Sequence, residues 1–205
     1  MTDKSNAADI IFDAVKGDPA PSTARIELHY LPILHRGHAF LRLVKPDGTV
    51  EELHGLSFSR HTDKESPMGM DGSRLSAELE FAPSADLAKF KNRTVPVGTV
   101  TSGSERKILE IWERGKKAAS AIKNDPKTFD YKAHDPAYEF GGNGGQIQNS
   151  NSVTYTLGRA MGLDLDRVIR KTGVARKFSG WGRDLLDPKY GRYVAPPPLA
   201  VAQTP

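Results

Sequence analysis

The chain predicts an α+β fold, a small antiparallel sheet with helices packed on it, and three observations carry that expectation. Arg25-Ile26-Glu27-Leu28-His29-Tyr30-Leu31 alternates polar and apolar residues as a half-buried strand does. Two further strand-like runs flank Lys45-Pro46-Asp47-Gly48, where Pro presets φ and Gly is free to take φ above zero, so they read as a hairpin. Beyond residue 100 the apolar spacing becomes helical, first after Ser104 and again after Ser150.

Taken in order, residues 1–24 are polar and rich in Ala, Asp, Pro and Ser, with one short amphipathic stretch at Ile10–Val15, and read as a mobile arm with one helical turn. The main domain is expected over 25–190, with strands at 25–31, 38–44 and 49–54. Residues 55–76, rich in Gly, Ser, Met and charge, read as a long loop or insertion. Leu79–Phe81 and Thr94–Val100 are weaker strand candidates. Ser104 is placed to cap a helix whose apolar side is Ile108, Leu109, Ile111, Trp112, Ala119 and Ile122, and Asn124-Asp125-Pro126 stops it. A flexible run, Gly141-Gly142-Asn143-Gly144-Gly145, leads into a helix from about Ser150 to Met161, closed by Gly162. Asp164 or Asp166 opens a shorter helix ending near Thr172-Gly173. Trp181, within Gly180–Leu186, is expected to pack onto the domain as a C-terminal clasp. Residues 191–205 form a proline-rich tail.

Composition narrows the chemistry. The chain has 205 residues, enough for one compact domain, and no cysteine, so disulfides, thiolate metal sites and a thiol nucleophile are excluded for this sequence. Its 29 basic and 25 acidic residues are interspersed, and the densest basic stretch, Arg106 to Lys117, also carries Glu110 and Glu113, as a solvated helix face does. Nucleic-acid binding is therefore not expected. No apolar run is long enough to span a bilayer and no signal-peptide pattern opens the chain, so synthesis in the cytoplasm and no membrane partner are expected. His29, His35, His38 and His54 lie close in sequence, but no HExxH or Cys-His spacing accompanies them, and neither a metal nor another cofactor is expected.

Two features carry chemistry. One is His38 at the start of a hairpin strand; the other is Ser150, a small hydroxyl residue where a Gly-rich loop enters a helix. A helix N-terminus offers free backbone N–H groups and the positive end of a dipole, which favour a nucleophile's anion and an oxyanion. A strand histidine that reaches it can serve as general base, with a third polar group fixing its tautomer. Without further context Ser150 reads first as a helix cap, work that Asn149 or Asn151 could share.

Gly37-His38-Ala39-Phe40-Leu41 resembles the histidine strand, and Asn149-Ser150-Asn151-Ser152-Val153 the Asn-Cys-Asn-Ser nucleophile motif, of the circularly permuted papain-like (NlpC-type) cysteine hydrolases, with Ser150 in place of cysteine. That resemblance spans about residues 25–172 and rests on the two short motifs. It implies a papain-like fold with the histidine strand ahead of the nucleophile helix, His38 as base, Ser150 at the nucleophile position, and a third member on the next strand. His54 or Glu52 could fill that third place, since two-residue spacing puts both on one face. Asn149 and the Ser150 N–H become oxyanion candidates.

The activity implied by the resemblance is hydrolysis of amide bonds in a peptide, protein or peptidoglycan substrate by a Cys/Ser-His mechanism. The same resemblance, with the polar N-terminal arm and no signal-peptide pattern, admits a bacterial secreted effector or toxin, exported by a specialised system and countered by a cognate inhibitor protein. Ser150 keeps three meanings open: a replaced cysteine, a native serine nucleophile, or the mark of a catalytically silent peptide-binding module.

Overall fold

A computed structural model of the chain describes residues 23–33, 35–65, 69, 72–80, 94–125, 127, 129–133, 135, 147–174 and 178–192. Of the mobile arm expected over residues 1–24, residues 1–22 lie outside the described residues, as do the Gly141–Gly145 run, Phe81 and the tail from residue 193, whereas Thr23 and the buried Ala24 belong to the first strand and not to an arm. Among the described residues six antiparallel strands form one open sheet: β1 (Thr23–Ile33), β2 (Arg36–Val44), β3 (Val50–Phe58), β4 (Arg74–Glu80), β5 (Val95–Ser104) and β6 (Phe129–Asp130), in the spatial order β5-β1-β2-β3-β4-β6. Among the described residues three α-helices accompany it: α1 (Glu105–Lys123), α2 (Ser150–Met161) and α3 (Leu165–Thr172).

The alternation seen in the sequence sorts the strands into two faces. Ile26 and Leu28 on β1, Ala39, Leu41 and Leu43 on β2, Leu53 on β3 and Leu75 and Ala77 on β4 join Trp112 and Ile108 of α1 and Val153 and Leu157 of α2 in one core. Burying each of the Leu, Ile and Val side chains among them contributes about 1.5–3 kcal/mol before entropy is counted. Trp112 is fully buried and still satisfies its indole N–H, which donates to Glu51 Oε2 at 2.9 Å. His38, Phe40 and Arg42 on β2, and Glu52 and His54 on β3, alternate with these core residues and so occupy the other face.

The hairpin forms as the turn chemistry requires. Gly48 takes φ +84° and its N–H donates to the Lys45 carbonyl at 3.0 Å, while the Asp47 carboxylate accepts from the Thr49 N–H. The helix ends also form at the expected residues. Gly162 and Gly173 close α2 and α3 in the left-handed conformation, and Asp164 caps α3 by accepting from the Arg167 N–H. Trp181 packs edge-on to Tyr155 and donates to Asp166 Oδ1 at 2.8 Å, which is the clasp. The outer face of α1 is solvated, with Arg106–Glu110 and Lys116–Glu113 ion pairs.

Three expectations change. Residues 55–76 are not one loop: β3 continues to Phe58 and β4 begins at Arg74, because Gly55, Ser57 and Ser76 are buried strand residues whose small or polar side chains hide the alternation. The weak signal at 94–100 is a ten-residue strand running to Ser104. Ser104 stands at the N-cap position of α1, yet its side chain makes no capping hydrogen bond, since the residue is still the last of β5.

Candidate active site

The site lies where the sheet splits. β2 and β3 pair only from Leu41↔Leu53 to Val44↔Val50; beyond Leu41 the strands part, and β3 continues beside β4 alone. The first turns of α2 fill the gap. Asn151 Oδ1 accepts from the Ala39 N–H at 2.8 Å, Asn151 Nδ2 donates to the Gly37 carbonyl at 3.1 Å, and Thr154 Oγ1 donates to the Ala39 carbonyl at 2.8 Å. Side chains of the helix thus take the backbone groups that a neighbouring strand would otherwise satisfy. On the β3 side, Gly55 makes the room: a Cβ there would stand 2.7 Å from the Ser150 Cα and carbonyl oxygen.

Behind the gap, four side chains form a line. His38 Nε2 lies 3.1 Å from His54 Nδ1, and His54 Nε2 lies 3.1 Å from Glu52 Oε2. Glu52 Oε1 in turn accepts from Arg42 Nε at 2.7 Å and pairs with its Nη2 at 2.5 Å. The two imidazoles are nearly coplanar in orientation, 9° apart, and the Phe40 ring stacks on His54 with centroids 4.5 Å apart. His38, His54 and Glu52 are all buried.

Burial alone would raise the Glu52 carboxyl, but the hydrogen bond and charge of His54 and the guanidinium of Arg42 outweigh it and lower the pKa to about 2. Glu52 is thus an acceptor only. For rings carrying one proton each, the direction of the line is then fixed: His54 Nε2–H donates to Glu52, His54 Nδ1 accepts from His38 Nε2–H, and His38 Nδ1 keeps the lone pair. Burial, with repulsion from His54 added and Glu52 opposing, pushes His38 down to about 3, so it rests neutral.

Ser150 is the first residue of α2, buried at 7% exposure, and the helix cap is its neighbour. Asn149 Oδ1 accepts from the N–H groups of Asn151 and Ser152, and Ser152 Oγ accepts from the Asn149 N–H, a complete capping box. The cap reading of Ser150 is therefore replaced: its hydroxyl has no hydrogen-bond duty in ending the helix. Asn149 serves chiefly as that cap, and its Nδ2 donates to Ser179 Oγ at 3.3 Å, which leaves one amide hydrogen to offer an oxyanion. The Ser150 N–H, in the first turn, has no acceptor among the described residues.

Of the residues singled out in the sequence, His38, His54 and Glu52 are joined directly, and both candidates for the third place are used, one behind the other. No hydrogen bond links Ser150 to His38 among the described residues; the two are tied through Asn151, which follows Ser150 and bonds both chain neighbours of His38. Arg42, Phe40, Gly55 and Asn151 were not identified as site residues from the sequence. Arg42 lies two residues beyond Phe40 and four beyond His38 on the same strand, so the alternation could have placed it on the His38 face. His29 lies apart, paired with Glu27 at 2.7 Å. Among the described residues no group of three or more His, Cys, Asp or Glu is disposed to hold a metal ion, and no helix is long and apolar enough to cross a membrane. Compared with known proteins, the chain matches no family model, no curated protein and no solved structure.

Proposed function

We propose that the chain is a permuted papain-like hydrolase of amide bonds, in peptides or peptidoglycan, built for a nucleophile at position 150 and a base at His38. The observation that carries this reading is the Glu52–His54–His38 line, which leaves His38 Nδ1 as an acceptor on the strand segment that Asn151 ties to the first turn of α2. In the reaction, His38 Nδ1 takes the proton of the nucleophile as its oxygen or sulfur adds to the amide carbon. The Ser150 N–H stabilises the oxyanion, with the positive end of the α2 dipole behind it. The proton then passes from His38 to the leaving amine, and water, activated in the same way, releases the acyl group. In this reading the chain is a bacterial effector or toxin, and a cognate inhibitor protein would cover the site at the start of α2.

A second reading, a catalytically silent peptide-binding module of the same fold, is favoured by one observation. A histidine whose pKa lies at about 3 is a poor base for a serine hydroxyl, whereas a thiol ionises far more readily.

Ser150→Cys separates the two. At mildly acidic pH its alkylation by iodoacetamide should run at least about tenfold faster than that of an exposed Ser102→Cys thiol, and His38→Ala should remove most of the excess. Ser152 is no neutral reference, because its hydroxyl belongs to the cap and donates to the Gly180 carbonyl at 2.9 Å. A reactive Ser150→Cys protein that cleaves peptides or peptidoglycan fragments supports the hydrolase; an ordinary thiol insensitive to His38 refutes it.

A further inference from the structure

Arg42 stands at the opposite end of the line from His38. Two carboxylates are within its neighbourhood, Glu52 on β3 and Glu27, its register partner on β1. Glu27 is already taken, with Oε1 accepting from Arg25 Nε at 2.6 Å and Oε2 meeting His29 Nε2 at 2.7 Å. The Arg42 guanidinium goes to Glu52, places two nitrogens on the single oxygen Oε1, and leaves Oε2 to His54.

This division controls where the protons sit. A carboxylate can only accept, whereas a carboxylic acid can donate. Glu52 is buried, and burial works toward the neutral acid; His54 and the adjacent guanidinium of Arg42 together work against it. Without Arg42 the acid form, reached by taking up one proton from solvent, becomes accessible, and with it the reverse order: Glu52 donates to His54 Nε2, His54 Nδ1–H donates to His38 Nε2, and His38 carries its proton on Nδ1. A His38 protonated at Nδ1 cannot take one from a nucleophile.

We propose that Arg42 is a positioning residue that sets the direction of the hydrogen bonds through His54 and His38 by holding Glu52 as an acceptor. The inference rests on the reading of His38 as a base, but its central claim concerns proton position. That position is measurable in the protein with Ser150 in place.

Long-range nitrogen–proton correlation spectra of the full chain, labelled with ¹⁵N-histidine, report which ring nitrogen carries the proton. At neutral pH both His38 and His54 should be protonated at Nε2 alone. Arg42→Met, which keeps the apolar stem but removes charge and donors, should give a mixture in which Nδ1–H of His38 is populated, and Arg42→Lys should restore most of the original order. A folded Arg42→Met protein that keeps Nε2–H on both rings would overturn the proposal. If Arg42→Met does not fold, Arg42→Gln carries the test, with the same mixture expected and a single unchanged order overturning it.

A second readout separates this inference from the hydrolase reading. In the Ser150→Cys protein, Arg42→Met should slow alkylation about tenfold. Tautomers that respond to Arg42 in a protein whose thiol ignores His38 would leave the positioning role standing and remove the hydrolase. A thiol that depends on His38 with tautomers indifferent to Arg42 would do the reverse.

Discussion

The carboxamide of Asn151 straddles His38, accepting from the Ala39 N–H on one side at 2.8 Å and donating to the Gly37 carbonyl on the other at 3.1 Å. The same nitrogen reaches the Ser179 carbonyl at 3.0 Å, so one buried side chain ties β2, α2 and the C-terminal segment together.

Removing that side chain should be costly. Asn151→Ala leaves the Ala39 N–H and the Gly37 carbonyl buried without partners, at about 1–3 kcal/mol for each such group. A loss of about 2–4 kcal/mol in urea unfolding is expected. Asn149→Ala, which removes a cap, should cost only about 1 kcal/mol. Equal losses at the two positions would show that the straddling contact contributes nothing special.

Two glycines should resist substitution for different reasons. At Gly55 the backbone is ordinary, but a Cβ would stand 2.7 Å from Val153 Cβ as well as from Ser150, so Gly55→Ala must push α2 away from β3. At Gly180 the φ of +79° is already unfavourable for a side chain, and a Cβ would also meet Asn149 Oδ1 at 2.7 Å. Each substitution should destabilise the fold by about 1–3 kcal/mol, and both should lower the thiol reactivity of Ser150→Cys, by displacing the helix start. Gly48→Ala in the hairpin turn, with φ +84° and no atom near the new Cβ, should cost stability and leave reactivity unchanged.

Acid should weaken the protein in two overlapping ranges. His38 is held neutral, its pKa pushed from 6.5 to about 3, so between those values the unfolded chain binds a proton that the folded one does not, and stability falls as pH drops. Glu52 is lowered from 4.5 to about 2, so its contribution is complete above the unfolded value and is lost as pH falls toward about 2. Unfolding free energies measured from pH 7 to pH 3 should decline throughout. His38→Gln should flatten the upper part of the curve, and Glu52→Gln the lower. A His38→Gln protein with an unchanged slope between pH 6.5 and pH 5 would show that His38 is not buried in its neutral form.

Much of the sheet was legible because its central strands obey a simple rule. From Arg25 to Leu31 and from His38 to Val44 every second residue is apolar, and the turn after Val44 has a Pro and a Gly where they are needed. Helix α2 was legible from its helical apolar spacing, with Gly162 as its stop. Strand β4 and the far half of β3 were hidden because their buried positions include Ser57, Ser76 and Gly55, which carry no hydrophobic signal. In the site, spacing put Glu52 and His54 on one face but could not order them behind His38, since that order depends on how β2 and β3 pair. The role of Asn151 lies in contacts made across 112 and 114 residues, and no local pattern encodes those.

The split between β2 and β3 also governs how the chain must fold. The hairpin is complete by Phe58, whereas the bonds that seat α2 reach back 112 to 115 residues. Contacts of such high sequence separation form slowly, because a long loop must close before they stabilise anything. Until α2 arrives, Gly37 and Ala39 present an unsatisfied strand edge, the kind of template on which other chains add. Chains interrupted before residue 150 should therefore self-associate through that edge, while the complete protein carries, in its own helix, the plug that prevents it.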